Sequence, residues 1–71
     1  MFNRNKFRAK MVENGISNEE MAGILGINKA TLYRKTVGIS EFTRDEIQIL
    51  SQALALSMQE VKDIFFADEI T

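Results

Sequence analysis

Three matching helix-start signals constrain the fold of this chain more than any other feature of its sequence. Each consists of a Ser or Thr followed three residues later by Glu, and they begin at Ser17, Thr43 and Ser57. In such a capping box the hydroxyl accepts from the amide of the third helical residue, and the glutamate accepts from the amide of the cap. Asn28 is a further candidate cap, and the chain contains no proline. The sequence therefore predicts short helices rather than strands.

Glycines mark where these helices should end. Gly15, Gly26 and Gly38 each fall where a helix should end, and glycine takes the left-handed conformation of a helix C-terminus without a steric penalty. The starts and stops predict five helices, at roughly 4–14, 18–25, 29–36, 44–54 and 58–65. Apolar side chains at helical spacing on one face of each segment should form the core: Phe7, Met11, Met21, Leu25, Ile47, Leu50, Leu54, Val61, Ile64 and Phe65.

Length and composition exclude most catalytic functions. With 71 residues there is room for one core, so we expect a single domain over 1–71, with a core at 4–65 and a short tail at 66–71. The chain has no Cys and no His, which removes the usual zinc ligands, thiolate nucleophiles and imidazole bases. A site built from carboxylates alone would need a larger scaffold. We therefore expect no enzyme, no catalytic residues, no metal, no cofactor and no small-molecule ligand.

The apolar residues of this chain occur only in short runs. No run exceeds four residues, whereas a helix that spans a bilayer needs about 20. The first residues also lack the apolar stretch of a signal peptide. We expect a soluble, cytoplasmic protein with no membrane partner.

Charge is distributed unevenly along the chain. Residues 1–40 carry seven basic and three acidic side chains, whereas residues 41–71 carry two basic and seven acidic ones. The formal net charge of −1 therefore hides a cationic first half, which could face a polyanion such as nucleic acid. The alternative is that solvated helix faces simply differ in charge.

The most informative stretch covers residues 21–34. It predicts two helices of about eight residues that are joined through Gly26 and cross at a steep angle. Ala22, four residues before Gly26, is small enough for the two backbones to approach closely. Leu25, Ile27 and Leu32 should fill the space below the crossing. The sequence thus predicts a helix-turn-helix.

The second of these helices should present a face that suits the major groove of DNA. Lys29 and Arg34 can donate to guanine, Ala30 or the methyl group of Thr31 can touch a thymine methyl, and Tyr33 can bond a phosphate or a base edge. No acidic residue interrupts this face. The alternative is an ordinary solvated basic face. The preceding helix, the glycine turn and Ala22 together favour DNA binding.

At these residues the sequence resembles the Cro/repressor-type helix-turn-helix family, also called the xenobiotic-response-element family, and in particular its short phage Cro-like and repressor proteins. Residues 54–61 are similar to the start of the fifth helix of the family, so the resemblance covers about residues 4–65. It implies an all-α, five-helix, lambda-repressor-like domain. The implied function is sequence-specific binding of double-stranded DNA in transcription regulation, as a phage or prophage repressor.

The resemblance also implies a role for individual residues. Bases would be read by Lys29, Ala30, Tyr33 and Arg34. The DNA backbone would be contacted by Asn18, Asn28, Thr31, Lys35, Ser40 and Arg44. Four cations of the first helix would lie away from the groove floor and only steer the encounter: Arg4, Lys6, Arg8 and Lys10.

Two positions depart from the pattern of the family. Its members often pair an Arg in the first helix with a Glu just after the recognition helix, and the matching positions here are Met11 and Thr36. Because both partners are replaced together, no buried charge is left unpaired. Lys35 stands where an apolar residue is usual. We expect its stem to lie over the core while its ammonium reaches a phosphate.

Assembly and a competing function remain open. The family commonly places two copies on half-sites about one helical turn apart, which implies a homodimer on a palindromic operator. Phe66 and Ile70 follow a core that should be complete by about Phe65, so they either pair the subunits or fold back onto the domain. The acidic second half motivates the alternative function, an antirepressor-like or antitoxin-like protein-interaction adaptor on the same fold. A purely structural helical bundle would leave the Ala22–Gly26 spacing unexplained.

Overall fold

The computed structural model describes residues 2–67, which form five short helices. These are α1 (Arg4–Glu13), α2 (Asn18–Leu25), α3 (Lys29–Thr36), α4 (Arg44–Ala53) and α5 (Met58–Phe65). No strand is present within residues 2–67. Every helix boundary lies within one residue of the predicted position, and the expected all-α, five-helix architecture is confirmed.

The predicted caps start their helices as expected. In all three capping boxes the hydroxyl accepts from the glutamate amide at 3.1 Å, and the carboxylate accepts from the cap amide at 2.8–3.0 Å. The Asn28 side-chain oxygen accepts from the Thr31 amide at 2.8 Å and starts α3. Asn3 caps α1 in the same way, by accepting from the Lys6 amide at 3.1 Å. These short-range bonds satisfy amides that a helix start leaves unpaired.

One core holds the helices together. Its buried side chains come from all five helices: Phe7, Met11, Met21, Ala22, Leu32, Leu50, Leu54, Ile64 and Phe65. Leu25, Ile47 and Val61, which were also predicted in the core, are partly buried and pack against it. Helical periodicity therefore predicted most of the core correctly.

An aromatic cluster closes one side of this core. The ring of Phe2 lies 5.2 Å from that of Phe7, 5.0 Å from that of Phe42 and 5.5 Å from that of Phe65, measured between centroids. The rings are tilted or edge-on, as aromatic pairs prefer. Phe2 precedes α1 and Phe42 precedes α4, so neither belongs to a helical pattern, and the sequence analysis did not assign them to the core.

The start of α1 is attached to α5. The Asn3 amide donates to the carbonyl of Ile64 at 2.6 Å, which satisfies a carbonyl near the end of α5. Lys6 pairs with Asp63 at 3.5 Å, and Lys10 forms an ion pair with Glu60. The bond from Lys10 raises the pKa of its own ammonium and lowers the pKa of the Glu60 carboxyl. The first turn of α1 thus has a defined position on the domain.

The turn after α4 contains an alanine in a backbone conformation that is unfavourable for alanine. Ala55 has a φ of 52°, in the left-handed region, and it is the only described non-glycine residue with a positive φ. The Leu56 amide donates back to the Ser51 carbonyl at 2.8 Å, which completes the turn. A Cβ in this conformation costs about 1–2 kcal/mol.

We expect Ala55→Gly to stabilise the protein. Relief of the steric cost should exceed the extra chain entropy of glycine and raise the free energy of unfolding by about 0.5–1 kcal/mol. Urea unfolding followed by circular dichroism would measure this change. The matched control is Ala9→Gly on the exposed side of α1, which should lower the free energy of unfolding by about 1 kcal/mol. A loss of stability in Ala55→Gly would show that the alanine is not strained.

Candidate nucleic-acid interface

The α2–α3 unit has the predicted glycine turn. Gly26 has a φ of 72° and a ψ of 28°, and its amide donates to the Gly23 carbonyl at 3.1 Å. The Ile27 amide donates to the Ala22 carbonyl at 3.0 Å, so the chain reverses within the turn. Ala22 and Leu32 are both buried in the core. The role of Ala22 in letting the two helices approach stays a prediction.

Most of α3 faces outward. Leu32 is the only buried residue among its eight. Because successive residues of a helix are about 100° apart, Ala30 and Arg34 lie on the side opposite Leu32. Lys29 and Tyr33 occupy one flank, and Thr31 with Lys35 the other. The four residues predicted to read bases are all exposed: Lys29, Ala30, Tyr33 and Arg34. We call these four residues the α3 face.

The guanidinium of Arg34 is held in place on this face. One of its terminal nitrogens donates to the Thr31 hydroxyl at 3.1 Å. Within residues 2–67 the other N–H donors of this group have no side-chain acceptor, so they can meet a ligand. Thr31 itself is partly buried. Its hydroxyl therefore helps to orient Arg34, and its contact with the DNA backbone stays a prediction.

The residues predicted to contact DNA backbone lie mostly at the starts of helices. Asn18 and Arg44 are the exposed first residues of α2 and α4, and Asn28 is the cap of α3. Because the Asn28 oxygen is used in the cap, its side-chain NH₂ group remains as a donor. Ser40 lies in the loop between α3 and α4, and its amide donates to the Arg34 carbonyl at 3.2 Å. That bond ties the loop to the end of α3.

Lys35 requires a correction. Its ammonium was expected to reach a DNA phosphate, but it lies 2.9 Å from a carboxylate oxygen of Glu46 and donates to the Glu41 carbonyl at 3.0 Å. The side chain of Lys35 is only 10% exposed and that of Glu46 only 13%. The ammonium also lies 5.9 Å from the centroid of the Phe42 ring. A charge this far removed from water needs its counter-ion, so the ammonium turns inward and is not available to DNA.

The Lys35–Glu46 ion pair joins the last turn of α3 to the first turn of α4. The Glu46 carboxylate also accepts from the Thr43 amide at 2.8 Å. Burial by itself would raise the pKa of Glu46, but the Thr43 amide and the Lys35 ammonium outweigh it and lower the pKa below its ordinary value. An ion pair at this end of α3 is thus present although Met11 and Thr36 replace the usual partners. It involves residues that the sequence analysis did not pair.

A residue of α1 also lies beside the α3 face. The Arg4 guanidinium carbon is 6.0 Å from the ring centroid of Tyr33. The family resemblance implies instead that the cations of α1 lie away from the groove floor. No local pattern could have indicated this proximity, because the two residues belong to different helices that are far apart in sequence.

Other kinds of site find little support within residues 2–67. That part of the chain contains no group of three or more acidic, Cys or His side chains placed to hold a metal ion. None of the five helices is long and apolar enough to cross a membrane.

Comparison with known proteins gives one match. A family model described as helix-turn-helix matches residues 7–61, a range that includes α2, α3 and the turn between them. No curated protein and no solved structure matches this chain.

We expect Glu46→Gln to destabilise the domain, because it leaves the Lys35 ammonium nearly buried without an anion. The free energy of unfolding at pH 7 should fall by about 1.5–3 kcal/mol, measured by urea unfolding. Glu20→Gln is the matched control, since Glu20 belongs to an equivalent capping box at α2 that has no lysine partner. Glu20→Gln should lower the free energy of unfolding by clearly less than Glu46→Gln does. Equal losses in the two variants would mean that the ion pair adds nothing to the cap.

The same pair should make stability depend on pH in a defined direction. Because the pKa of Glu46 is lower in the folded state, its contribution is fully present above the unfolded pKa of about 4.3. That contribution is lost as the pH falls from there through the folded pKa. As the pH falls over this range, the free energy of unfolding should decrease less for Glu46→Gln than for the natural protein.

Proposed function

This chain belongs to the Cro/repressor-type helix-turn-helix family, and we propose that it is a transcriptional regulator of the phage Cro-like repressor kind that reads a duplex operator with α3. The observation that carries the proposal is the α3 face. Its four side chains are exposed together, none of them is acidic, and the helix follows a left-handed glycine turn. A helix of this width fits the major groove, which is about 12 Å wide.

The chemistry of the α3 face suits base edges. Arg34 is already oriented by Thr31, so it loses little conformational freedom when it donates to O6 and N7 of a guanine. Lys29 can make a similar but less directional contact. Ala30 lies beside Arg34 and offers a methyl group to a thymine. A face with two cations and a methyl group can distinguish base pairs as well as bind them.

Contacts to the DNA backbone would fix the register of α3 in the groove. The candidates are exposed or partly exposed polar residues at helix starts and in the loop after α3: Asn18, Asn28, Thr31, Ser40 and Arg44. Amides at helix starts favour phosphate, and Arg44 adds a full charge. Lys35 is not part of this set, because its ammonium is bound by Glu46.

Two copies of the chain would bind one operator. A single α3 reads only a few base pairs, so specificity requires a second copy on a half-site about one helical turn away. Phe66, directly after α5, is 38% exposed, which supports a place at the subunit interface. Ile70, the other candidate, lies outside the described residues.

We expect Arg34→Ala to reduce specific binding more than general binding. Affinity for a preferred site, selected from random duplex DNA, should fall by about 1–3 kcal/mol, and preference at one base position should relax. Arg8→Ala removes the same charge from the exposed side of α1 and is the control. It should weaken both kinds of DNA slightly and equally.

Fluorescence anisotropy with the selected and a random duplex would measure both affinities. Equal losses on the two duplexes in Arg34→Ala would mean that this residue does not read a base. If the natural protein binds neither duplex, the interaction-adaptor function is favoured instead.

We expect Phe66→Ser to weaken self-association without unfolding the monomer. The thermal midpoint of the dilute protein should stay nearly unchanged, because the ring is not buried in the core. Phe65→Ser is the contrasting variant. Its ring is buried, so the monomer itself should melt at a much lower temperature. Sedimentation with and without a palindromic duplex would measure assembly, and one chain per duplex at saturation would refute the dimer.

A further inference from the structure

Arg4, the first residue of α1, lies beside a residue of the α3 face. Its guanidinium is 6.0 Å from the centroid of the Tyr33 ring, which is within the range of a cation–π contact. Tyr33 is 58% exposed, so the pair lies at the protein surface. We propose that Arg4 and Tyr33 form one contact unit, in which the Tyr33 ring holds Arg4 and Arg4 binds a phosphate of the DNA strand at the edge of the groove. The proposal rests on the function proposed above.

The position of Tyr33 on α3 indicates an edge contact. Ala30 and Arg34 lie on the side of α3 opposite Leu32. Tyr33 lies next to that side, on the flank that faces Arg4 of α1. A helix with its side chains is about 10–12 Å in diameter and nearly fills the major groove. When Ala30 and Arg34 point to the groove floor, a flanking side chain therefore comes close to the sugar–phosphate strand that borders the groove. Arg4 extends that flank with a positive charge.

The start of α1 holds Arg4 in a defined place. The neighbouring Asn3 is bonded through its amide to the Ile64 carbonyl at 2.6 Å, and its side chain caps α1. Phe2 packs into the aromatic cluster with Phe42 and Phe65. The backbone on the N-terminal side of Arg4 is thus attached to the core. Arg4 therefore loses less conformational freedom on binding DNA than a residue of a flexible basic arm would lose.

Arg4 is poorly explained by the stability of its own helix. The first turn of α1 contains no acidic residue, and a cation near the positive end of a helix dipole is unfavourable. Lys6 and Lys10, farther along α1, have carboxylate partners in Asp63 and Glu60. Within residues 2–67, the neighbour of the Arg4 guanidinium is the Tyr33 ring, 6.0 Å away. The positive helix end and the guanidinium together favour an anion at this place.

Arginine suits this arrangement better than lysine does. A guanidinium can place its flat face over an aromatic ring while the N–H groups at its rim point outward. A phosphate can accept two of those N–H groups at once. The Tyr33 hydroxyl is a further donor on the same flank.

The salt dependence of DNA binding tests the proposal. The logarithm of the binding constant falls with the logarithm of salt concentration by about 0.9 for each phosphate neutralised. We expect Arg4→Gln to flatten this slope by about one unit and to weaken binding by roughly 3–10-fold at 0.1 M salt, on selected and random duplexes alike. Its thermal midpoint should stay nearly unchanged, because the unfavourable charge at the start of α1 and the favourable contact with the Tyr33 ring are lost together.

Lys6→Gln is the matched control. It removes the same charge from the same helix, but Lys6 lies about 200° around α1 from Arg4 and pairs with Asp63 of α5. The salt dependence of DNA binding by Lys6→Gln should have a slope close to that of the natural protein. If Lys6→Gln flattens the slope as much as Arg4→Gln does, the effect is one of total charge and the phosphate contact is refuted.

The role of the Tyr33 ring is tested by a double-mutant cycle. In a Tyr33→Leu background the further loss caused by Arg4→Gln should shrink at least threefold, whereas in a Tyr33→Phe background it should persist because the aromatic ring remains. An undiminished loss in the Tyr33→Leu background would show that Arg4 acts without Tyr33 and would overturn the contact unit.

The outcomes separate this proposal from the proposed function. If Arg4→Gln keeps the natural slope while Arg34→Ala loses preference for the selected site, DNA reading stands and the Arg4 contact is refuted. If the natural protein binds no duplex at any salt concentration, both proposals fall.

Discussion

The left-handed backbone at Gly26 is the constraint on which the arrangement of this protein depends. It ends α2 and reverses the chain, so that α3 can start just after Asn28 and pack against α2. A helix of eight residues is too short to be stable alone, and Leu32 is the only side chain that α3 buries. The orientation of α3 therefore depends on what holds its two ends, and the turn at Gly26 holds the first.

The second end of α3 is held by electrostatics rather than by apolar packing. Lys35 reaches Glu46 and the Glu41 carbonyl, and it lies 5.9 Å from the Phe42 ring centroid. A nearly buried ion pair gains little net free energy over an apolar contact of similar size, but breaking it is costly. The pair thus restricts how α3 and α4 can move relative to each other. The same glutamate caps α4, so one side chain sets both the helix start and the helix contact.

The aromatic cluster links the contact between α3 and α4 to the start of the chain. Phe42, beside Lys35, also packs against Phe2 and Phe65. The loop after α3, the end of α5 and the residues before α1 thus meet at one place. This is why Arg4 lies next to Tyr33, and why the surface proposed for DNA includes more than α3. In a domain with so few buried side chains, each aromatic ring contributes a large share of the apolar area removed from water.

The sequence by itself determined the helices and their starts, the turn at Gly26 and most of the core. Capping boxes, left-handed glycines and helical periodicity involve residues at most about four positions apart, so a single segment contains the whole interaction. The tertiary structure alone decided the partner of Lys35, the burial of Phe2 and Phe42, and the position of Arg4 beside Tyr33. Each of these joins segments that are distant in the chain. Their pairing follows from how five short helices fill one core, and no local pattern records it.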